Sequence, residues 1–205
     1  MSYIKTLKRI RSNKTNYRKR KAVLISRRNF VTVKVSNQNI HCQLIQPVMK
    51  GDVVLTHAGS KELAKYGWKG SLNNLSACFL VGLILGKKMK AKKLDSAILY
   101  IGKTSFTSKV AACLKGIAAA GIDIPLSEES LPSEDRVNGS HLSEYAGNLK
   151  EDKTQYEKRF SKLISNNVDP EEYSKHFEET KSQISAGKFD WVGYGYDKLW
   201  TLPKE

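Results

Sequence analysis

The sequence predicts an α/β fold: a mixed sheet, made of a three-strand antiparallel meander plus a further strand, layered with helices and flanked by a basic N-terminal arm and an α-helical C-terminal extension. Three observations predict it. Short segments before residue 60 alternate apolar and polar with period two, two apolar helical stretches bracket a continuous apolar run between residues 72 and 120, and beyond residue 131 the composition changes and helical spacing takes over. A length of 205 residues suits one domain with an extension or two small ones. With 40% apolar and 27% charged residues, wholesale disorder and collagen-like sequence are excluded.

Residues 1–21 are too polar to bury and are expected as an extended arm ending in Tyr17-Arg18-Lys19-Arg20-Lys21. Phe30–Val35 alternates, with Val31, Val33 and Val35 on one face and Thr32 and Lys34 on the other. Ser36-Asn-Gln-Asn39 is a turn signal, and Ile40–Leu44 alternates again with Ile40, Cys42 and Leu44 inward. Gly51-Asp52 opens a third strand, Val53–Thr56. Short connections make these three an antiparallel meander, with one face apolar and the other carrying Lys, Thr, Gln and His.

Leu72–Lys90 reads as a helix, apolar almost all round from Ala77 to Leu85 and then basic at Lys87, Lys88, Lys90, Lys92 and Lys93. That pattern suits a buried helix whose C-terminal end emerges at the surface, where cations complement the helix dipole. The uninterrupted run Ala97–Ile101 is expected as a central strand covered on both faces. After a loop over Gly102–Ser108, Lys109–Ala120 is a helix stopped by Gly121 and Pro125. Ser127–Asn138 is acidic and turn-rich, a linker signal, and His141–Ile164 has helical spacing. Asp169-Pro-Glu-Glu172 is a helix start, with a capping Asp, Pro at the first helical position and acids in the first turn. The helix it opens carries Tyr173, Phe177 and Ile184 and ends at Gly187. Phe189–Trp200 holds five of the chain's 18 aromatics and is expected to dock, on its own domain or on a partner. The resulting division is a basic arm (1–21), an α/β core domain (22–131) and a helical extension with an aromatic tail (132–205).

The net charge is +15, and residues 1–51 contribute 13 Lys/Arg with no Asp or Glu, the first acid being Asp52. A surface of one sign repels itself, so fifty residues without a carboxylate imply a polyanion that supplies the missing charge. The interleaving of Tyr3, Tyr17, Phe30 and strand-like segments argues against a merely solvated basic tail. Arg takes phosphate oxygens two at a time and Tyr stacks on an unpaired base, so a nucleic acid fits. A membrane fits poorly: Lys5–Arg11 offers only Leu7 and Ile10 as an apolar stripe, and the longest uncharged apolar run, Ala77–Gly86, is too short to span a bilayer. No apolar segment follows the basic N-terminus as in a secretory signal, and Cys42, Cys78 and Cys113, without metal-ligand spacing, read as reduced core thiols of a cytoplasmic protein.

Catalytic patterns are weak. Gly102-Lys-Thr-Ser105 follows an apolar run and precedes a helix, as a P-loop does, but Ala97 occupies the place of the earlier glycine. Lys103 and Lys109 can hold an RNA phosphate near a helix N-terminus, although the same pattern suits an ordinary strand-to-helix loop. His41 and Cys42 alternate to opposite faces and cannot pair as base and nucleophile. Four separated histidines show no metal-ligand spacing.

Several stretches, in order, carry a resemblance: Lys14-Thr-Asn-Tyr-Arg-Lys-Arg20, Val33-Lys-Val-Ser-Asn-Gln-Asn-Ile-His-Cys-Gln43, Glu62-Leu-Ala-Lys-Tyr-Gly-Trp-Lys69, Ala112-Cys-Leu-Lys-Gly-Ile117, Gly121-Ile-Asp-Ile-Pro125 and the run Tyr145–Ile164. Together they cover nearly the whole chain, which resembles the universal L-eighteen family of large-ribosomal-subunit proteins (L-five in eukaryotes) in its archaeal form. That family usually has Asp where Asn16 stands and Ala-Ala or similar where Ala112-Cys113 stands. The resemblance implies a mixed sheet between helices with a C-terminal helical extension, and no enzymatic activity. It also implies binding to 5S rRNA, attachment of that RNA to 23S rRNA in the central protuberance, and contacts with neighbouring large-subunit proteins, with no cofactor, metal, membrane or small-molecule substrate.

By the resemblance, Lys14, Thr15, Tyr17, Arg18, Lys19, Arg20, Lys21, Asn37, Asn39 and Lys69 match motif positions expected near RNA. Charge and placement add Lys8, Arg9, Arg11, Arg27, Arg28, Lys34, Lys103 and Lys109. Arginines are expected on phosphates, Tyr17 stacked on a base, and the asparagines on base edges or ribose hydroxyls. Two rivals carry different expectations: a nucleic-acid-processing enzyme would need clustered acids for metal ions, and a non-ribosomal RNA-binding module or RNA chaperone would accept unrelated RNAs.

Overall fold

The computed structural model describes residues 7–48 and 51–187. The aromatic segment Phe189–Trp200 and Tyr3 lie outside the described residues.

Four strands form one mixed sheet in the order β3-β2-β1-β4. β1 (Phe30–Val35), β2 (Ile40–Gln46) and β3 (Val53–Gly59) are the antiparallel meander, and β4 (Ile98–Leu99) runs parallel to β1. The β1–β2 hairpin pairs Val33 with Cys42 and Val35 with Ile40, and Ser36 closes its turn through hydrogen bonds with Asn39. A bulge between Leu44 and Ile45 shifts the β2–β3 register, and β3 runs to Gly59, three residues past its expected end, by pairing with His41. Val35, expected inward, is 37% exposed because it sits at the strand end, past the edge of the helical layer.

The inner sheet face (Val31, Val33, Ile40, Cys42, Leu44, Ala58) packs on α3 (Leu75–Ala91) and α4 (Ser108–Ala119). Asn74 starts α3 by accepting the Ala77 N–H, three residues later than the expected start at Leu72. α3 is buried nearly all round, as its composition requires. It crosses α4 at two glycines, Gly82 against the Cys113 carbonyl and Gly116 against the Phe79 carbonyl. Cys42, Cys78 and Cys113 are buried and free, with the Sγ atoms of Cys42 and Cys113 2.7 Å apart.

Four expectations need correction. The arm is not extended: residues 8–11 form α1 (Lys8–Arg11) and residues 17–26 form α2 (Tyr17–Ser26), the latter started by the Asn16 side chain, which accepts the Arg18 and Lys19 N–H groups. The apolar run Ala97–Ile101 is not a central strand; only Ile98–Leu99 pair with β1, at the edge of the sheet, because Asp123 takes the Ala97 N–H on the other side and Gly102 turns the chain at φ 64°. The acidic stretch after Ser127 is not an open linker: it contains the helix α5 (Glu134–Asn138), which buries Val137 in the main core. The helical stretch His141–Ile164 is two helices, α6 (Ser140–Asn148) and α7 (Lys153–Ser165), separated at Leu149–Asp152.

Asp169 makes no side-chain cap, and Pro170–Glu172 form a 3-10 turn leading into α8 (Tyr173–Ala186). Tyr173, Phe177 and Ile184 of α8 join the same core as the sheet and α3, with the Phe79 and Phe177 rings 5.8 Å apart. On the opposite sheet face, α2 contributes Val23 to a small cluster with Phe30 and Ile45, closed by Tyr100, whose ring meets Phe30 edge-on at 5.2 Å. That cluster fixes α2, and with it a row of cations, to the sheet.

Candidate nucleic-acid interface

Between residues 7 and 48 every charged side chain is basic. Most of these cations stand in solvent with no partner among the described residues: Lys8 and Arg11 on α1, Lys14 after it, Arg18, Lys19 and Lys21 on α2, Arg27 and Arg28 beyond its end, and Lys34 on β1 are all exposed. Helix formation places these charges more closely than an extended arm would, at 1.5 Å per residue instead of about 3.3 Å. Repulsion along such a helix is tolerated only where a counter-charge is supplied. Tyr17, at the first position of α2, is 39% exposed, its ring available for stacking beside these cations.

Arg27 sits at the C-cap of α2 with φ 53°. Glycine usually fills such a left-handed position, and an Arg there costs about 1 kcal/mol. The turn sends the chain directly into β1 and leaves two adjacent arginine side chains outside.

Other expected RNA-binding residues are engaged within the protein. Arg20 pairs through both terminal nitrogens with Asp52, whose hydrogen bonds are the main cause holding the guanidinium pKa above its usual value. Arg9 donates to the Thr15 hydroxyl at 2.8 Å. The Asn39 side chain turns inward and accepts from Ser60, whose hydroxyl also receives the Ile40 N–H. Lys103 reaches Asn13, tying its loop to the segment between α1 and α2. Lys109 donates to the Asn73 side-chain oxygen at 3.1 Å.

Asn73 was not marked by its sequence, where it is one polar residue in a loop. In the fold its Nδ2 donates to the carbonyls of Ser36 and Asn37, both at 2.8 Å, while its oxygen accepts from Lys109. It thereby brings the β1–β2 turn and the start of α4 together and leaves the Asn37 side chain outward and free.

Lys69, expected near RNA, is exposed at the surface next to buried Trp68. Its backbone is held by His176 and Asn166 from the C-terminal helical region. The open sheet face completes the surface: Lys34 stands opposite His41, and Thr32 and Gln43 lie in one row with His57. His41 and Cys42 do face opposite ways, His41 exposed and Cys42 buried. Strand alternation was the signal that marked this polar face.

Among the described residues no three His, Cys, Asp or Glu side chains are arranged to hold a metal ion, and no helix is long and apolar enough to cross a membrane. The surface offers dispersed cations, amides, imidazoles and one exposed tyrosine. Chemically it can neutralise phosphates and contact bases.

Comparison with known proteins agrees with that chemistry. Residues 2–100 match the family model described as ribosomal large subunit proteins 60S L5 and 50S L18. The chain is also similar to the large ribosomal subunit protein uL18 of the archaeon Caldivirga maquilingensis, with 39% identity over 181 residues that cover 86% of this chain and 87% of that protein.

Proposed function

The chain belongs to the uL18 family of large-ribosomal-subunit proteins, and from that premise we propose that it binds 5S rRNA and attaches it to 23S rRNA in the central protuberance. Its role is structural and not enzymatic, on the large subunit of the ribosome. The observation that carries the reading is the set of nine solvent-exposed cations on α1, the α1–α2 connection, α2, the α2–β1 connection and β1, without partners among the described residues and in a stretch with no acid.

The mechanism is charge neutralisation followed by local recognition. Lys8, Arg11, Lys14, Arg18, Lys19, Lys21, Arg27 and Arg28 contact phosphates, lowering the repulsion between two RNA backbones packed side by side. Tyr17 stacks on an unpaired base, and Asn37 reads base edges or ribose hydroxyls. Lys34, with His41, Gln43 and His57 across the open sheet face, extends the same surface. Arg9, Thr15, Arg20, Asn39, Lys103 and Lys109 shape that surface through their protein partners. The C-terminal helices supply contacts to RNA and to neighbouring large-subunit proteins.

The test is competition between 5S rRNA and an unrelated RNA of equal length for the purified protein, at salt concentrations between about 50 and 200 mM. Preference for 5S rRNA with a steep salt dependence, each phosphate contact adding roughly 0.7–0.9 to the log–log slope, is the expected result. Equal binding of both RNAs would instead make the protein a general RNA-binding module, and affinity indifferent to salt would refute neutralisation.

A further inference from the structure

The Lys69 side chain has no hydrogen-bond or ion-pair partner among the described residues, yet both hydrogen-bonding groups of its backbone are taken by side chains from the C-terminal helical region. Its N–H donates to His176 Nε2 at 3.2 Å, and its carbonyl accepts from Asn166 Nδ2 at 2.8 Å. His176 is on α8 and Asn166 caps the end of α7, so two separate helices converge on one loop residue.

The neighbouring contacts explain why the loop holds one conformation. The His176 imidazole stacks on the Trp68 indole with ring centroids 5.1 Å apart and planes 15° from parallel, while Tyr173 meets the same indole edge-on at 5.7 Å. Trp68 Nε1 donates to the Ser71 carbonyl, which closes the loop over Gly70. The indole lies so close to Gly70 that a Cβ there would come within 2.7 Å of it. Lys69 itself is exposed beside this cluster, while Trp68 and Tyr173 are buried. Acceptance of the Lys69 N–H requires a neutral imidazole with its proton on Nδ1.

We propose that the C-terminal helical region presents Lys69 to an RNA phosphate, with His176 as the positioning residue and Asn166 as its second hold. The inference rests on the RNA-binding reading above, and it gives the helical region a specific task in that reading. Lys69 lies in the loop before α3, on a different element from the cations of α1 and α2, so its contact adds to theirs. A lysine on a long flexible stem binds a phosphate well only if its Cα is fixed, because otherwise the ordering entropy of the loop opposes binding.

The experiment measures binding of the full-length chain to in vitro transcribed 5S rRNA across a salt series, for wild type, Lys69→Gln, His176→Phe, Asn166→Ala and the double variant Lys69→Gln/His176→Phe. Phe at 176 keeps a ring against Trp68 and removes the Nε2 acceptor together with the Nδ1 proton. Lys69→Gln should weaken binding roughly three- to tenfold and lower the log–log salt slope by roughly 0.7–0.9. His176→Phe and Asn166→Ala should each move affinity and slope in the same direction, and the double variant should bind as Lys69→Gln alone does. A His176→Phe penalty that multiplies with that of Lys69→Gln overturns the positioning role, as does wild-type binding by His176→Phe. Asn166 is exposed, so its variant tests the same hold without touching the core, and unchanged affinity and slope there also overturn the proposal. Wild-type protein that ignores 5S rRNA defeats the functional reading itself; wild-type binding with an unaffected Lys69→Gln defeats this inference alone.

Discussion

Arg20 of α2 closes a two-pronged ion pair with Asp52, the first acid in the chain and the residue just before β3. A single arginine of the basic N-terminal region is thereby converted from a ligand for an outside anion into a fastening between α2 and the sheet. Its neighbour Arg18, two positions earlier, has no such partner and stands exposed.

The pair separates two roles that the sequence presents as one run of cations. Arg20→Gln should lose about 1 kcal/mol of stability, the scale of a partly shielded bidentate pair, and lower Tm by roughly 2–4 °C. Arg18→Gln should leave Tm unchanged and weaken RNA binding with a shallower salt slope. Thermal denaturation of both variants beside RNA titrations decides the matter; equal Tm losses would make Arg18 part of the fold as well.

The crossing of α3 and α4 makes a second, independent claim. Gly82 and Gly116 face backbone carbonyls of the opposite helix so closely that a Cβ at either position would collide with them. Backbone cannot rotate aside as a side chain can, so Gly82→Ala must push the helices apart in a fully packed core. About 2–3 kcal/mol of destabilisation is expected, or a Tm loss of roughly 5–10 °C, even though alanine favours helices. A melting curve at or above that of wild type would show that the helices are not in contact at these glycines.

Asn73 holds the β1–β2 turn by two donated hydrogen bonds and ties it to α4 by a third, accepted from Lys109. Asn73→Ala should cost about 1 kcal/mol, since water can replace its amide at the two exposed carbonyls while the half-buried Lys109 ammonium loses its acceptor. Amide exchange should quicken at Ser36–Asn39 before the rest of the sheet loosens, and RNA affinity should fall through the displaced Asn37. Unchanged exchange in the turn would mean that Ser36 and Asn39 suffice to hold it.

Much of this architecture was legible in the residues themselves. Period-two alternation located β1 and β2 because one sheet face is buried and the other solvated, and the apolar stretch of α3 located a helix enclosed on nearly every side. The same logic failed at Ala97–Ile101, where Ala97 is buried and residues 98–101 are half-buried although the backbone pairs with β1 for only two residues. It failed at the N-terminal region too. There the polar composition correctly excluded a core helix, but helix formation turned on one local bond set, the Asn16 cap, and on two anchoring residues, Val23 and Arg20. In the site, charge identified which residues are cationic; which of them are claimed internally depends on contacts such as Arg20 with Asp52 and Lys109 with Asn73, far apart in the chain. No short-range pattern encodes those.

His176 makes stability depend on pH in a direction fixed by its surroundings. Burial is the largest influence and lowers its pKa below the ordinary imidazole value of 6.5; Glu179 opposes this and nearby Lys69 adds to it. In the unfolded chain the imidazole takes up its proton near the ordinary value, so between that pH and the lower folded-state pKa the unfolded state binds more protons. Stability contributed by neutral His176 is therefore complete above about pH 6.5, falls as the solution is acidified, and is fully lost below the folded-state pKa. Protonation also removes the acceptor that holds the Lys69 N–H, so the same acidification frees the loop. Wild-type Tm should accordingly drop more than that of His176→Phe between about pH 7.5 and 5.5, because the variant has no proton to gain there. Parallel melting series at those two pH values, with matched ionic strength, measure the difference, and identical drops in both proteins would show that His176 carries none of the acid sensitivity.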